Sequence, residues 1–492
     1  MQRGVQLVLN TVALLALVLV LFSDFWVTPL GGYADQRLAL SVISGLLIFL
    51  IIVSFARLPL MAQRVSGRVL FPALTLSLAF FLLAIFFRAQ SYVWVEPGMY
   101  GLFFLASFVS GVWLGLSDRA FGYAGRLILT IAGTCTVYGL ASVNVYLFAI
   151  FDGVTELIDF IPWGFVNIRY WGHIATWCLP LIPLAVLVGP LKEVRLWRGV
   201  VLLGAGMWWW ILLLTSGRGS VLGIAFGVSF VMLLFGRSAF PWLKVFLQYL
   251  LAGIVIWFLL SVVIPSFMES GVQVRSIKTN SSGRIPLFVE AWKMSLQNLP
   301  FGMGPQSWLT HEPITEAYAT GKKFGHPHNM YLMWAAEYGW LLIGAMGLVV
   351  IQAILNFWRR KAELFESGDS NQLLLLAGFT ASVSAALFHA GVSAVFMAPG
   401  SMLVGLFVLI GFWALILPTG MGAEASVQAV NPRRRLVFAG LLSTVFMILW
   451  ALWMSEVWQY YQDMRADETY YFEHESEGTL PRFWFHGNFP RD

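Results

Sequence analysis

Thirteen apolar runs, each long enough to cross the roughly 30 Å hydrocarbon core of a membrane, occupy most of this sequence. Because backbone exposed to lipid must pair its polar groups internally, each run is predicted to be an α-helix. A mean hydropathy of +0.77 and a charged fraction of 11% exclude a soluble chain with a charged surface. The sequence therefore predicts an all-α polytopic membrane protein of about 12 to 13 transmembrane helices. The runs lie near positions 6 to 23, 38 to 55, 70 to 87, 100 to 117, 127 to 150, 173 to 189, 199 to 214, 219 to 235, 242 to 264, 329 to 355, 372 to 396, 400 to 417 and 436 to 455.

The basic residues are distributed unequally between the loops that join these runs. Alternate loops are rich in Lys and Arg, as at Arg433 to Arg435, whereas the opposite short loops carry only Arg37, Arg88, Arg169 and Arg218. The positive-inside rule then places the amino terminus in the cytoplasm and these four arginines on the outer face. Since the basic residues are scattered rather than clustered, the net charge of +5 does not indicate a nucleic-acid partner.

One outward connection, positions 265 to 327, is much longer than the others and is polar in composition. Connections of this length without apolar runs are usually functional or disordered. The expected organisation is therefore transmembrane helices over 1 to 264, this loop over 265 to 327, carboxyl-terminal transmembrane helices over 328 to 455, and a tail over 456 to 492. With an odd number of spans, both the loop and the tail are expected in the periplasm.

The long loop contains a pattern that predicts an amphipathic helix. Apolar residues recur there at helical spacing after Ser282, which could cap the helix. A helix of this kind is expected to lie on the bilayer surface. The apolar positions are Ile285, Phe288, Val289, Trp292 and Leu296.

Two glycine-arginine turns are expected on the outer face. In the segment 215 to 220, glycines beside Arg218 let backbone approach a ligand, and the following helix offers N–H groups to an anion. The guanidinium of Arg218 would add a planar cation suited to phosphate oxygens. The same chemistry recurs at Arg284, at the start of the amphipathic helix. The alternatives are that Arg218 extends from the bilayer to water and that Arg284 is an ordinary loop residue.

A third polar cluster, His326-Pro327-His328-Asn329, lies where the long loop re-enters the membrane. Histidine can act as a base near neutral pH, although a helix-capping or purely structural role fits the spacing too. No metal is expected, because no HExxH motif, paired Asp or Cys cluster accompanies the histidines. Glu337 follows nine residues after His328, which places it on the opposite helix face.

These motifs, in this order, resemble the bacterial O-antigen ligase and O-antigen polymerase superfamily, which also includes bacterial protein O-oligosaccharyltransferases. The resemblance covers mainly positions 165 to 350. A weaker similarity begins at Asn167-Ile168-Arg169, where many members continue with an Asn that this chain lacks. The stronger motifs are Thr215-Ser216-Gly217-Arg218-Gly219, Ser282-Gly283-Arg284 with Trp292, the turn Pro300 to Gly304, and His326-Pro327-His328-Asn329 with Tyr331-Leu332 and Glu337-Tyr338-Gly339.

The resemblance implies a GT-C-type glycosyltransferase architecture, a glycan donor linked to undecaprenyl diphosphate, and no cofactor. It implies that His328 is catalytic and that Arg218 and Arg284 bind the pyrophosphate. Arg169, Arg88, His326 and Asn329 are secondary candidates.

The expected reaction is an inverting, metal-independent glycosyl transfer at the periplasmic face of a bacterial inner membrane. The sequence leaves the acceptor open. Lipid A-core would make the chain an O-antigen ligase, which we expect. Another lipid-linked glycan would make it an O-antigen or exopolysaccharide polymerase, and a protein acceptor would make it an O-oligosaccharyltransferase. A flippase or transporter for the same lipid-linked glycan is the non-enzyme alternative.

Overall fold

The computed structural model describes residues 2–23, 32–57, 67–88, 91–117, 119–154, 161–165, 167–267, 283–418, 432–474 and Arg482. Within these residues the regular structure is entirely helical. The first nine helices are α1 Gln2–Leu21, α2 Tyr33–Arg57, α3 Gly67–Ala84, α4 Val95–Leu116, α5 Ala120–Phe151, α6 Ile168–Cys178, α7 Leu184–Leu187, α8 Arg195–Leu214 and α9 Arg218–Phe235. The others are α10 Phe240–Phe258, α11 Ile264–Phe267, α12 Arg284–Gln297, α13 Ser307–Thr310, α14 Glu316–Ala319, α15 Met330–Ser367, α16 Ser370–Ala390, α17 Pro399–Ile416 and α18 Pro432–His474.

Eleven helical segments of the described chain are long and apolar enough to cross a membrane. One of them, Arg218–Phe267, contains both α9 and α10. These two helices are separated by a short 3₁₀ turn that begins at Gly236, whose φ of 52° favours glycine. The predicted fold class, an all-α polytopic membrane protein, is thus confirmed.

The helix predicted over positions 173 to 189 is wrong as a single element. Helix α6 ends at Cys178, turns follow, and α7 covers only Leu184–Leu187. Pro180 and Pro183 lie in these turns. Proline has no N–H to donate to a helical hydrogen bond, and its ring clashes with the backbone of the preceding helical turn. Arg169 therefore lies at the start of a short helix of 11 residues, which packs against α9, α16 and α17.

The last predicted span, 436 to 455, covers only the first half of a longer helix. Helix α18 runs without interruption from Pro432 to His474 and packs along α2. Part of the segment expected as a tail is therefore a continuation of this helix. The division of the chain into domains otherwise remains a prediction.

Glycines bring α9 and α16 into close contact. Gly219, Gly223 and Gly227 recur every four residues and share one face of α9, which packs along α16. A Cβ atom added at Gly223 would lie 2.8 Å from the carbonyl oxygen of Ala385. Without a strong hydrophobic driving force in lipid, small residues of this kind allow helices to associate closely. This packing fixes Arg218, the first residue of α9, against the carboxyl-terminal end of α16.

The helix predicted in the long loop is present as α12, and it has two apolar faces. Its inner face packs Leu287, Ala291 and Met294 into a small core with Trp308 and Tyr318. Its outer face is exposed to the surroundings and carries apolar side chains, which suits contact with a bilayer surface. The exposed side chains are Ile285, Val289, Trp292 and Leu296.

Candidate active site

The first glycine-arginine turn forms as predicted. Helix α8 ends at Leu214 and α9 begins at Arg218, with Gly217 as the N-cap. Ser216 has a φ of 51°, so the chain reverses sharply before the arginine. The hydroxyl of Ser220 donates a hydrogen bond to the carbonyl of Gly172 at 2.9 Å. This bond attaches the first turn of α9 to α6.

The second turn places Arg284 as the first residue of α12. Gly283 is the N-cap of α12, with a φ of 70°, whereas the predicted cap was Ser282. Ser281 and Ser282 lie outside the described residues. Since a left-handed φ favours glycine, Gly283 sets the direction in which α12 leaves the loop.

The third cluster is a tight, buried turn that leads into α15. His328 has a φ of 58°, and its backbone N–H donates to Nδ1 of His326 at 3.1 Å. The side chain of Asn329 accepts a hydrogen bond from the N–H of Leu332 at 3.0 Å and so caps α15. The capping role therefore belongs to Asn329. Nδ1 of His328 is buried and has no hydrogen-bond partner among the described residues.

Electrostatic effects between the three turns show that they lie close together. Burial, then the positive charges of Arg169 and Arg284, lower the pKa of His328 to about 3. Burial also lowers the pKa of Arg284, and the charges of Arg169 and Arg218 lower it further. The three arginines and His328 therefore occupy one region, although their positions in the sequence span more than 150 residues. His328 is therefore neutral near pH 7.

The ion pairs among the described residues do not include Arg284. Ion pairs elsewhere in the described part of the chain include Glu290 with His311, Glu363 with Arg360, and two carboxylates with Arg482. Like-charged groups held close to one another raise the energy of the unliganded protein and favour an anionic ligand.

The secondary candidates divide between the cluster and other places. Arg169 lies in the first turn of α6, where its N–H donates to the side chain of Asn167 at 2.9 Å. His326 and Asn329 belong to the histidine turn. Arg88 is exposed after the short 3₁₀ helix Ile85–Phe87, and no described contact connects it to the cluster.

A buried histidine pair beside Arg218 was not predicted. His389, near the end of α16, accepts or donates a hydrogen bond through Nδ1 to the hydroxyl of Thr176 at 2.9 Å. His173 contacts Ser393 through Nε2 at 2.7 Å, and the two imidazole rings are 5.0 Å apart. A Cβ atom at Gly219 would lie 2.7 Å from Nε2 of His389. His389 therefore packs directly against the first turn of α9.

A buried acid fixes α12 to the rest of the long loop. Glu290 accepts hydrogen bonds from the N–H groups of Ile314 at 2.6 Å and Thr315 at 2.9 Å, and it contacts Nε2 of His311 at 3.0 Å. Burial alone would raise the pKa of Glu290, but these hydrogen bonds lower it below its ordinary value. An ionised Glu290 thus holds the helix that carries Arg284.

Glu337 does not face His328, in agreement with the helical spacing. Its carboxylate accepts a hydrogen bond from the N–H of Trp308 at 3.2 Å and forms an ion pair with Arg482. Among the described residues, no group of three or more His, Cys, Asp or Glu side chains could hold a metal ion. The absence of a metal from the reaction stays a prediction.

A comparison with protein families gives one match. Residues 200–347 match the family model described as O-antigen ligase. The matched segment includes Arg218, Arg284 and His328, whereas Arg169 lies before it. A comparison with curated proteins finds no match.

Proposed function

We propose that this chain, whose residues 200–347 match the O-antigen ligase family model, transfers a glycan from undecaprenyl diphosphate to lipid A-core. The site would face the periplasm of a bacterial inner membrane, with the amino terminus in the cytoplasm. The observation that supports this proposal most strongly is that Arg169 and Arg284 lie close enough to the buried His328 to lower its pKa, while Arg218 acts on Arg284 in the same way.

In the proposed reaction, His328 takes the proton of an acceptor hydroxyl while the hydroxyl oxygen attacks the anomeric carbon. A new carbon–oxygen bond forms, and the bond from that carbon to the diphosphate oxygen breaks. The configuration inverts and no covalent enzyme intermediate forms. Undecaprenyl diphosphate gains negative charge as it leaves, so fixed guanidinium groups from Arg218 and Arg284 lower the barrier. Arg169 would contribute to the same field.

A histidine with a pKa of about 3 is a weak base, and the donor is expected to change this value. Part of the shift comes from Arg169 and Arg284, whose charges a bound diphosphate would neutralise. The pKa of His328 should then rise toward neutrality, where general bases work best. Donor binding would thus activate the base, and transfer would begin only when the donor is present.

A deletion strain tests the reaction class. We expect lipid-linked glycan to accumulate at the periplasmic face and the glycan ladder on lipid A-core to disappear from lipopolysaccharide gels. A single repeat on the core would instead indicate a polymerase, and an intact ladder with an unglycosylated protein would indicate an oligosaccharyltransferase. Accumulation at the cytoplasmic face would indicate a flippase and contradict the proposal.

A further inference from the structure

Two carboxylates, those of Glu96 and Glu337, are buried within the helical bundle. Glu96, in the first turn of α4, is fully buried, and Glu337 of α15 is 1% exposed. The hydroxyl of Tyr100 donates to Oε1 of Glu96 at 3.1 Å. Ionised groups in such surroundings are strongly destabilising unless a counter-ion accompanies them.

The counter-ion comes from a distant part of the chain. Arg482 is fully buried, and its Nη2 lies 3.1 Å from Oε1 of Glu96 and 2.5 Å from Oε2 of Glu337. The guanidinium of Arg482 therefore connects α4, through Glu96, to α15, through Glu337. Charge-assisted contacts of this kind are among the stronger polar interactions in proteins.

The same side chain also contacts both sides of the histidine turn. Nη1 of Arg482 donates to the carbonyl of Gly325 at 3.4 Å and to the sulfur of Met333. Gly325 immediately precedes His326, and Met333 lies in the first turn of α15. Burial lowers the pKa of His326, and the charges of His328 and Arg482 contribute to the same direction.

The backbone of Arg482 extends this contact toward Arg169. Its carbonyl accepts a hydrogen bond from the hydroxyl of Tyr33 at 2.6 Å. The ring of Tyr33 lies 5.4 Å from the ring of Tyr170, which follows Arg169 in α6. Arg482 therefore contacts residues on both sides of the histidine turn and, through Tyr33, is linked to the start of α6.

We propose that Arg482 is a positioning residue for glycosyl transfer, which holds the His326–Asn329 turn between α4 and α15 and supports the start of α6. This inference rests on the proposed function. It states that Arg482, from the carboxyl-terminal part of the chain, completes the support of the active site. A role limited to neutralising Glu96 and Glu337 is the alternative that the experiment must separate.

Docking of the segment can be measured without any activity assay. We expect carboxypeptidase digestion of the full chain in lipid nanodiscs, followed by intact-mass measurement, to stop at or before Arg482. In the double variant Glu96→Gln/Glu337→Gln, digestion should proceed beyond this position. Equal trimming of both proteins past Arg482 would overturn the inference and leave the proposed function untouched.

The positioning role needs a variant in which charge is balanced but the contacts to the histidine turn are lost. Arg482→Met alone should lower thermal stability, because it leaves two buried carboxylates without a cation. Arg482→Met/Glu96→Gln/Glu337→Gln should recover most of that stability while the kcat for transfer remains about tenfold or more below the parent, since displacement by about 1 Å can cost up to 10²-fold. KM for the donor should change little. Arg359→Met, an exposed position on α15, is the matched control and should behave as the parent.

Two results would overturn this role. Recovery of both stability and kcat in the triple variant would limit Arg482 to charge compensation. Faster transfer by a chain truncated after position 474 would mean that the segment obstructs the site. A parent protein that docks its segment but transfers no glycan would instead contradict the proposed function alone.

Discussion

Arg284 and Arg482 both act on the same histidine turn, yet their surroundings are opposite. Arg482 is fully buried between two carboxylates, Glu96 and Glu337. Arg284 is partly exposed, has no ion-pair partner among the described residues, and lies close enough to His328 to lower its pKa. An arginine that is paired within the protein stabilises structure, whereas one grouped with other cations is arranged for an anion from outside. The comparison therefore assigns a structural role to Arg482 and a ligand-binding role to Arg284 within one site.

Removing the base should have the largest effect. We expect His328→Ala to reduce transfer by about 10² to 10⁴, because a general base typically contributes this much, with normal expression and membrane insertion. His326→Ala is the neighbouring control and should reduce transfer less. Reconstituted protein with a defined lipid-linked donor provides the measurement. Equal losses in the two variants would contradict the assignment of a single base.

Replacing the clustered arginines should have the next largest effect. Arg218→Lys and Arg284→Lys are each expected to lower transfer by about 10²-fold, since an ammonium cannot reproduce the planar guanidinium contacts to diphosphate. Arg237→Lys is the matched control, because Arg237 is exposed at the opposite end of α9 and should tolerate lysine. If both site variants transferred like the parent, guanidinium recognition of diphosphate would have to be abandoned.

The outer face of α12 should have a smaller effect, through position alone. Trp292 is 47% exposed and its ring lies 5.5 Å from that of Trp340 in an edge-on contact. We expect Trp292→Ser to weaken transfer by about tenfold, since a shift of this helix moves Arg284. Trp358→Ser is the control, because Trp358 is 50% exposed on α15 away from α12.

The same helix is predicted to move when the donor binds. Covering segments often close over a bound substrate, and the apolar outer face of α12 is largely exposed. Spin labels at Ile285 and Val221, both exposed, should report a shorter distance in the presence of donor. An unchanged distance, together with full activity of Trp292→Ser, would make this helix a passive cover.

The smallest expected effect is a shift in the titration of His328. Its pKa of about 3 means that it stays neutral as the pH falls through the ordinary histidine value of about 6.5. Inorganic pyrophosphate should partly neutralise the neighbouring arginines and raise this pKa, so protonation should occur at higher pH. NMR titration of labelled histidine, with His328→Ala to assign the signal, measures both values. If pyrophosphate left the pKa of His328 unchanged, the proposal that the arginines control this pKa would be contradicted.

Local patterns in the sequence predict much of this architecture. Run length and hydropathy identify most spanning helices, because lipid leaves few other structures available. The glycine-arginine turns and the histidine turn are equally local, so Arg218, Arg284 and His328 could be selected before their contacts were known. The break after α6 was missed, although Pro180 and Pro183 carry the signal for it.

Contacts between distant parts of the chain could not be predicted in this way. Glu96 is an acid within an apolar run, which indicates a buried charge that needs a partner. Nothing in the sequence identifies that partner as Arg482, which is 386 residues away. The contact between His173 and His389 could not be predicted for the same reason, since the packing of two apolar helices, α6 and α16, brings these residues together.

Binding of the lipid-linked donor tests the central claim most directly, because it separates the arginine cluster from the histidine. We would measure the affinity of nanodisc-embedded protein for undecaprenyl-diphosphate-linked glycan in the parent, in His328→Ala and in Arg218→Met/Arg284→Met. The account predicts that His328→Ala binds donor as the parent does but transfers glycan about 10² to 10⁴ times more slowly, and that the double arginine variant binds at least tenfold more weakly, a loss of about 1.4 kcal/mol. Donor binding that is lost with His328, or kept by the double arginine variant, would contradict it.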